Sequence, residues 1–173
     1  MAFNLGKSSE SHLVGVYEPL VRVVRLAIQL STQDFSVIDG LRDVSRQAEY
    51  LKSGASKTTN SRHLTGHAVD LLPYYGLGIN PWPEHSAAHL REDRLLGFRK
   101  IACAMFEAAD SLEVPLQWGN DWNSNGVIVR DDPAEKFSDL PHFQIPFHFN
   151  LERSIQARFR RMQERQENKR LVI

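Results

Sequence analysis

Three side chains of metal-ligand type fall in two short stretches of this 173-residue chain. His63 and Asp70 lie in Ser61-Arg62-His63-Leu64-Thr65-Gly66-His67-Ala68-Val69-Asp70, and His142 lies in Asp139-Leu140-Pro141-His142-Phe143-Gln144. Two imidazoles and one carboxylate are the ligand type of a catalytic zinc ion that leaves its fourth position to water. Zinc in such a site acidifies that water and polarises a carbonyl. Asp139, on a turn three residues before His142, is then placed to be the general base and afterwards the acid that protonates a leaving amine. Asp70 has apolar neighbours on both sides, and a carboxylate in a buried strand is costly unless a cation or donors meet it. Spacing alone leaves a second reading open, because single His and Asp residues are commonly surface or capping groups. His67 follows His63 by four residues, the interval of a helical H-E-x-x-H motif. Position 64 is Leu and Gly66 disfavours a helix, so His67 is not taken as a ligand. His85 and His89 read as solvated, His12 has no partner in the pattern, and His148 lies past the last expected strand.

These groups need elements to hold them. Pro19 suits a first helical turn, and Leu20, Val23, Val24, Ala27, Ile28 and Leu30 follow at helical spacing, which predicts a helix over 18–31. Phe35–Asp39 reads as a strand. Asp43 or Ser45 caps a second helix that turns Ala48 and Leu51 inward and ends at Gly54 in the left-handed conformation. Ala68–Leu72 reads as a strand stopped by Pro73, followed by an irregular Pro- and Gly-rich excursion over 73–90. A long helix is predicted over 91–112, then a strand at Leu116–Trp118, loops over 119–141, and a last strand at His142–Ile145. The alternation is not strictly βαβ, which predicts an α+β domain with a small, largely antiparallel sheet flanked by helices.

Composition narrows the classes further. With 42% hydrophobic residues the chain can bury a core, and the single Cys103 excludes a disulfide framework or a Cys-rich zinc finger. Lys+Arg and Asp+Glu both number 21, which argues against a uniformly basic nucleic-acid binder. The balance is uneven along the chain: residues 151–173 hold seven basic and three acidic side chains, leaving fourteen and eighteen in 1–150. In that tail Leu151, Ile155, Phe159 and Met162 recur at helical spacing after Asn150, a plausible cap. The organisation expected is a domain over 1–150 and a basic amphipathic C-terminal helix over 151–173. No stretch is long and apolar enough for a membrane span, and the N-terminus lacks the apolar run of a Sec-type signal.

The pattern Ser-x-His-x6-Asp with a distant Asp/Glu-x-x-His resembles the VanY-type zinc D,D-peptidases. Arg42 and Gln47 fit an upstream Arg-x4-Gln of the same group. More closely, the chain is similar to the L-alanyl-D-glutamate endopeptidases of tailed-phage endolysins, over roughly residues 3–147. The matching strings are Leu13–Val16, Val37–Arg42, Gly54–Thr58, Asn60–Leu71, Trp118-Gly119 with Asp121-Trp122, and Pro141–Gln144. The resemblance implies a hedgehog/D,D-peptidase-like fold and one Zn2+ per chain held by His63, Asp70 and His142. It implies Asp139 as the catalytic acid/base and Arg42 as a substrate-orienting or oxyanion-holding group, with ion pairing to Asp39 or Asp43 as the alternative for Arg42. Ser61, Gln47 and Trp118 follow as substrate-side residues, each with a purely structural alternative. Where relatives commonly carry Gly-Gly-Asp-Trp, this chain has Gly119-Asn120-Asp121-Trp122. The excursion at 74–94 and the stretch 123–138 look long, and both are expected to border the cleft.

The activity implied is hydrolysis of the L-Ala–D-Glu bond of peptidoglycan, leading to host lysis. The alternative is a D-Ala-D-Ala carboxypeptidase or dipeptidase with the same metal site, and a different class is a zinc-stabilised wall-binding module. The expected partners are peptidoglycan and, through the basic tail, an anionic envelope; no nucleic acid is expected, and the chain is expected to be a monomer. By the same resemblance it is made in the host cytoplasm and reaches the wall after a holin opens the inner membrane.

Overall fold

The computed structural model describes residues 2–126, 131, 132, 134 and 137–147. The expected helix over 151–173, and His148, lie outside the described residues.

Among the described residues, four α-helices and four strands form the architecture: α1 (Lys7–His12), α2 (Glu18–Leu30), β1 (Phe35–Asp39), α3 (Val44–Ser53), β2 (Ala68–Pro73), α4 (Arg91–Ser111), β3 (Gln117–Trp118) and β4 (His142–Gln144). The sheet order is β1-β2-β4-β3, and every pairing is antiparallel. This is the α+β fold that the pattern predicts. Helix α1 has no counterpart in the sequence reading, because Lys-Ser-Ser-Glu-Ser-His carries no apolar stripe to announce it. Helix α2 behaves as its spacing predicts. Leu20, Val23, Val24 and Ala27 are fully buried against α4 and the sheet, and each large apolar side chain so buried is worth about 1.5–3 kcal/mol.

Period-2 alternation divides the sheet into two faces. Val37, Val69, Leu71, Phe143 and Trp118 turn into the core under α2 and α4, where Phe98, Ile101 and Met105 meet them. Asp39, Asp70, His142 and Gln144 turn to the other face. Two short 3-10 turns, Arg62–Thr65 and Ala88–Leu90, lead into β2 and α4.

Helix α3 departs from expectation in its orientation. Asp43 is its cap, its carboxylate accepting from the Arg46 N–H at 2.8 Å, and Gly54 ends it at φ +78°. Ala48, however, is exposed, and the buried residue of α3 is Gln47. The helix packs a polar group inward because its inner side adjoins Arg42 and the 56–58 loop, not the apolar core. Among the described residues no helix is long and apolar enough to cross a membrane.

Candidate metal centre

Strand register builds most of the site. Asp70 on β2 directly opposes His142 on β4, and Asp39 on β1 opposes Asp70 after a bulge between Val37 and Asp39. Directly opposed residues share a face, so three polar groups are delivered to one row without any loop. His63 enters from the 3-10 turn before β2. Ser61 opens that turn by accepting from the His63 N–H at 3.3 Å, and Gly66 closes it with a left-handed φ of +67°.

His63 Nε2 lies 3.2 Å from Asp70 Oδ1 and 3.2 Å from His142 Nδ1, and His142 Nδ1 lies 3.1 Å from Asp70 Oδ1. The partners of the outer ring nitrogens decide what points inward. His63 Nδ1 sits 2.7 Å from the Gly40 carbonyl, which accepts only, so Nδ1 carries the proton and Nε2 presents its lone pair. Gln144 donates its amide to Gln117 Oε1 at 2.6 Å, so its own Oε1 faces His142 Nε2 at 3.1 Å as an acceptor. His142 Nδ1 therefore also presents a lone pair. Two imidazole lone pairs and a carboxylate oxygen converging at this range repel one another unless a cation lies among them. Their separations are close to the roughly 3.3 Å between donors of a tetrahedral ion with bonds of about 2.0 Å. The donor set thus fits a metal, and His63, Asp70 and His142 could hold one. Gly40 and Gln144 supply the outer hydrogen bonds that fix ligand tautomer and orientation.

Charge in the metal-free site follows the same geometry. Burial works to raise the Asp70 carboxyl, but the His63 and His142 imidazoles outweigh it and hold Asp70 well below the usual carboxylate range. Burial works to lower His142, and hydrogen bonding and attraction to Asp70 overcome it, so His142 rises. Asp139 moves the other way from Asp70. Burial first, then repulsion from Asp70, pushes its carboxyl above the ordinary value.

Among the described residues, backbone hydrogen bonds hold Asp139 beside the ligands. Its N–H donates to the Gly119 carbonyl at 2.7 Å, its carbonyl accepts from the His142 N–H at 3.2 Å, and the Gly119 N–H donates to the His142 carbonyl at 2.8 Å. A Cβ on Gly119 would collide with the Asp139 carbonyl oxygen and lie 2.9 Å from Asp139 Cβ and 3.1 Å from His142 Cβ. The glycine is what lets this loop lie flat on the end of β3.

A cavity of about 710 Å³ opens over the site, lined by the three candidate ligands, Asp139, Arg42 and Ser61. Arg42 makes the ion pair with Asp39 that one of its sequence readings names, and it lines the cavity. Its Nε donates to Asp39 Oδ2 at 3.0 Å and its Nη1 to Gln47 Oε1 at 2.7 Å, while Nη2 also reaches within 3.6 Å of Asp70 Oδ2. The guanidinium is buried in the cavity wall over the ring of Tyr50.

Two of the expected substrate-side residues lie off the cavity lining, in the structural settings that were their alternative readings. Gln47 does not line the cavity; it holds Arg42 on one side and donates to Ser56 Oγ and the Thr58 carbonyl on the other. Trp118 does not line it either. Register pairs Trp118 with Phe143, the core-facing neighbour of His142, so its ring stacks on Phe143 at 6.0 Å and its indole N–H donates to the Leu140 carbonyl. Trp122 does line the cavity, its ring 5.6 Å from that of His142 and stacked on Phe137. Trp82 and Phe137 line the cavity as well, so the excursion after β2 and the stretch before β4 both border the cleft. Sequence reasoning also passed over Gln144. Strand alternation from His142 was the available signal, since i and i+2 share a face.

The family of phage L-alanyl-D-glutamate peptidases matches residues 1–145 of the chain. The L-alanyl-D-glutamate peptidase of Escherichia phage T5 is 33% identical over 129 residues, spanning 73% of this chain and 86% of that protein. The crystal structure of the Serratia marcescens L-Ala D-Glu endopeptidase ChiX is similar with a TM-score of 0.64 and 34% identity, covering 85% of this chain and 91% of that one.

Proposed function

Since this chain belongs to the phage L-alanyl-D-glutamate peptidase family, we propose that it is a zinc-dependent endopeptidase that hydrolyses the L-Ala–D-Glu bond of peptidoglycan stem peptides. The observation that carries the metal assignment is the convergence of three lone-pair donors within 3.1–3.2 Å of one another. Two imidazoles and a carboxylate suit zinc among the common divalent ions. Zinc held there supplies an acidified water and a polarised carbonyl.

The chain's own groups do the rest. Asp139 takes the proton of the attacking water and returns it to the leaving amine of D-glutamate. In the metal-free site burial raises this carboxyl, the direction that suits a group that both accepts and returns a proton. Arg42, fixed by Asp39 and Gln47, places positive charge where the scissile carbonyl oxygen becomes negative. Ser61 positions His63 by capping its turn. The setting we propose is that of an endolysin: synthesis in the host cytoplasm, release by a holin, and attraction of the basic segment 151–173 to the anionic envelope.

The D-Ala-D-Ala carboxypeptidase reading predicts a different product. Mass spectrometry of defined muropeptides digested by the protein is expected to show L-Ala–D-Glu cleavage. Release of free D-alanine with that bond intact would overturn the proposal.

The packing of Gly119 makes a further test. Gly119→Ala is expected to displace Asp139 and lower kcat by about 100-fold, since misplacement by about 1 Å costs that much. Zinc content is expected to stay near one per chain. Full activity in this variant would mean that the Asp139 loop does not need its observed position.

A further inference from the structure

The substrate class proposed above has a feature that the metal site leaves unaddressed. Glutamate carries two carboxyl groups, and only one of them continues the stem peptide. The residue on the leaving side of the scissile bond therefore keeps a free carboxylate, unless it is amidated, close to the reacting nitrogen. A cleft that selects this residue needs a cation with unused donors.

Among the described residues, three cationic side chains line the cavity: Arg42, Lys57 and Arg62. Arg42 is committed to Asp39 and Gln47. Lys57 is exposed on the polar loop before the 3-10 turn, so gathering its ammonium costs side-chain entropy. Arg62 differs from both. It immediately precedes His63, and its Nε donates to the Ile145 carbonyl at 3.0 Å, just past the end of β4. Its guanidinium carbon lies 4.4 Å from the centre of the Phe147 ring, which also lines the cavity. The side chain is thus held from two directions. Its Nη groups make no hydrogen bond, and no carboxylate pairs with it, among the described residues. The side chain is half-buried in the cavity wall. A fixed, partly dehydrated fork with free Nη donors matches a carboxylate in geometry and in charge.

We propose that Arg62 is a specificity-determining residue that binds the free carboxylate of the D-glutamyl residue, through its Nη groups, on the leaving side of the cleft. The inference rests on the L-Ala–D-Glu reading and adds to it a preference between two natural forms of the substrate. A D-glutamyl residue with a free carboxylate is favoured over the same residue with a carboxamide.

The test uses the zinc-loaded full chain and two synthetic stem peptides that differ only at that group, carboxylate against carboxamide. The readout is the ratio of kcat/KM for the two. The wild-type protein is expected to favour the carboxylate by about tenfold or more, the range of a charge-assisted hydrogen bond. Arg62→Gln is expected to bring the ratio near one. Arg62→Lys keeps the charge without the fork and is expected to fall between, which preserves the test if the Gln variant fails to fold. Lys57→Gln is expected to retain the wild-type ratio. A wild-type ratio near one, a ratio that survives Arg62→Gln, or its loss in Lys57→Gln in place of the Arg62 variants would overturn the inference. Failure of the wild-type protein to cut either peptide is a separate result: it sinks the endopeptidase reading, and the assignment of Arg62 falls with it.

Discussion

Asp139→Ala is expected to lower turnover on a defined muropeptide by roughly 10³-fold, within the 10²- to 10⁴-fold span of general acid–base catalysis. Zinc content and melting temperature are expected to change little. Asp139 is not one of the three converging donors, and its loop is tied down by the backbone bonds of Gly119 and His142, which the substitution leaves in place. Its removal even relieves a repulsion, since Asp70 is among the groups that push its carboxyl upward. Asp139→Asn tests the same point with nearly unchanged volume. It keeps a hydrogen-bonding group but cannot carry a proton from water to amine, so it is expected to resemble the Ala variant. Wall lysis by either variant at the parental rate would rule out Asp139 as the acid/base. Loss of zinc in both would recast it as a structural support of the metal centre.

The second large effect concerns the metal itself. Stripping zinc with a chelator is expected to abolish hydrolysis, and one equivalent is expected to restore it. The three donors are presented by β2, β4 and the turn before β2, elements anchored in the core by Val69, Leu71 and Phe143. The stripped protein should therefore stay folded, with a proton shared among donors that otherwise repel. Because zinc must displace that proton, its affinity is expected to weaken as the pH falls through the raised range of His142. His63→Ala removes one donor and leaves the Gly40 carbonyl without its ring partner. Zinc should not restore activity to that variant.

Residue types and spacing suggested that His63, Asp70 and His142 come together, and the family resemblance favoured this over the surface or capping reading; the convergence follows from strand alternation and strand pairing, which are simple rules. Asp70 and His142 each sit amid apolar strand residues, which is a costly place for them without a shared purpose. The depth of the reading stopped at cross-strand register. Nothing local says that Trp118 pairs with Phe143, and a shift of one residue would have put its ring on the cavity face, so its cleft and core readings both stayed open. Gln47 shows the same limit on a helix. A polar residue was assigned to the substrate and Ala48 to the interior, whereas the inner side of α3 adjoins a buried arginine, and only tertiary packing reveals that. Helix α1 escaped because its six polar residues carry no periodic signal. The role of Gly119 was equally hidden, for it depends on how closely the chain returns at Asp139, some twenty residues later.

The most direct test of the whole account is a zinc titration of the metal-stripped protein, with L-Ala–D-Glu cleavage followed by mass spectrometry at each addition. The account predicts a linear rise in cleavage that breaks at one zinc per chain, and no rise at all in His63→Ala. Cleavage by the stripped protein at the full rate, or a rise in His63→Ala equal to that of the parent, would contradict it.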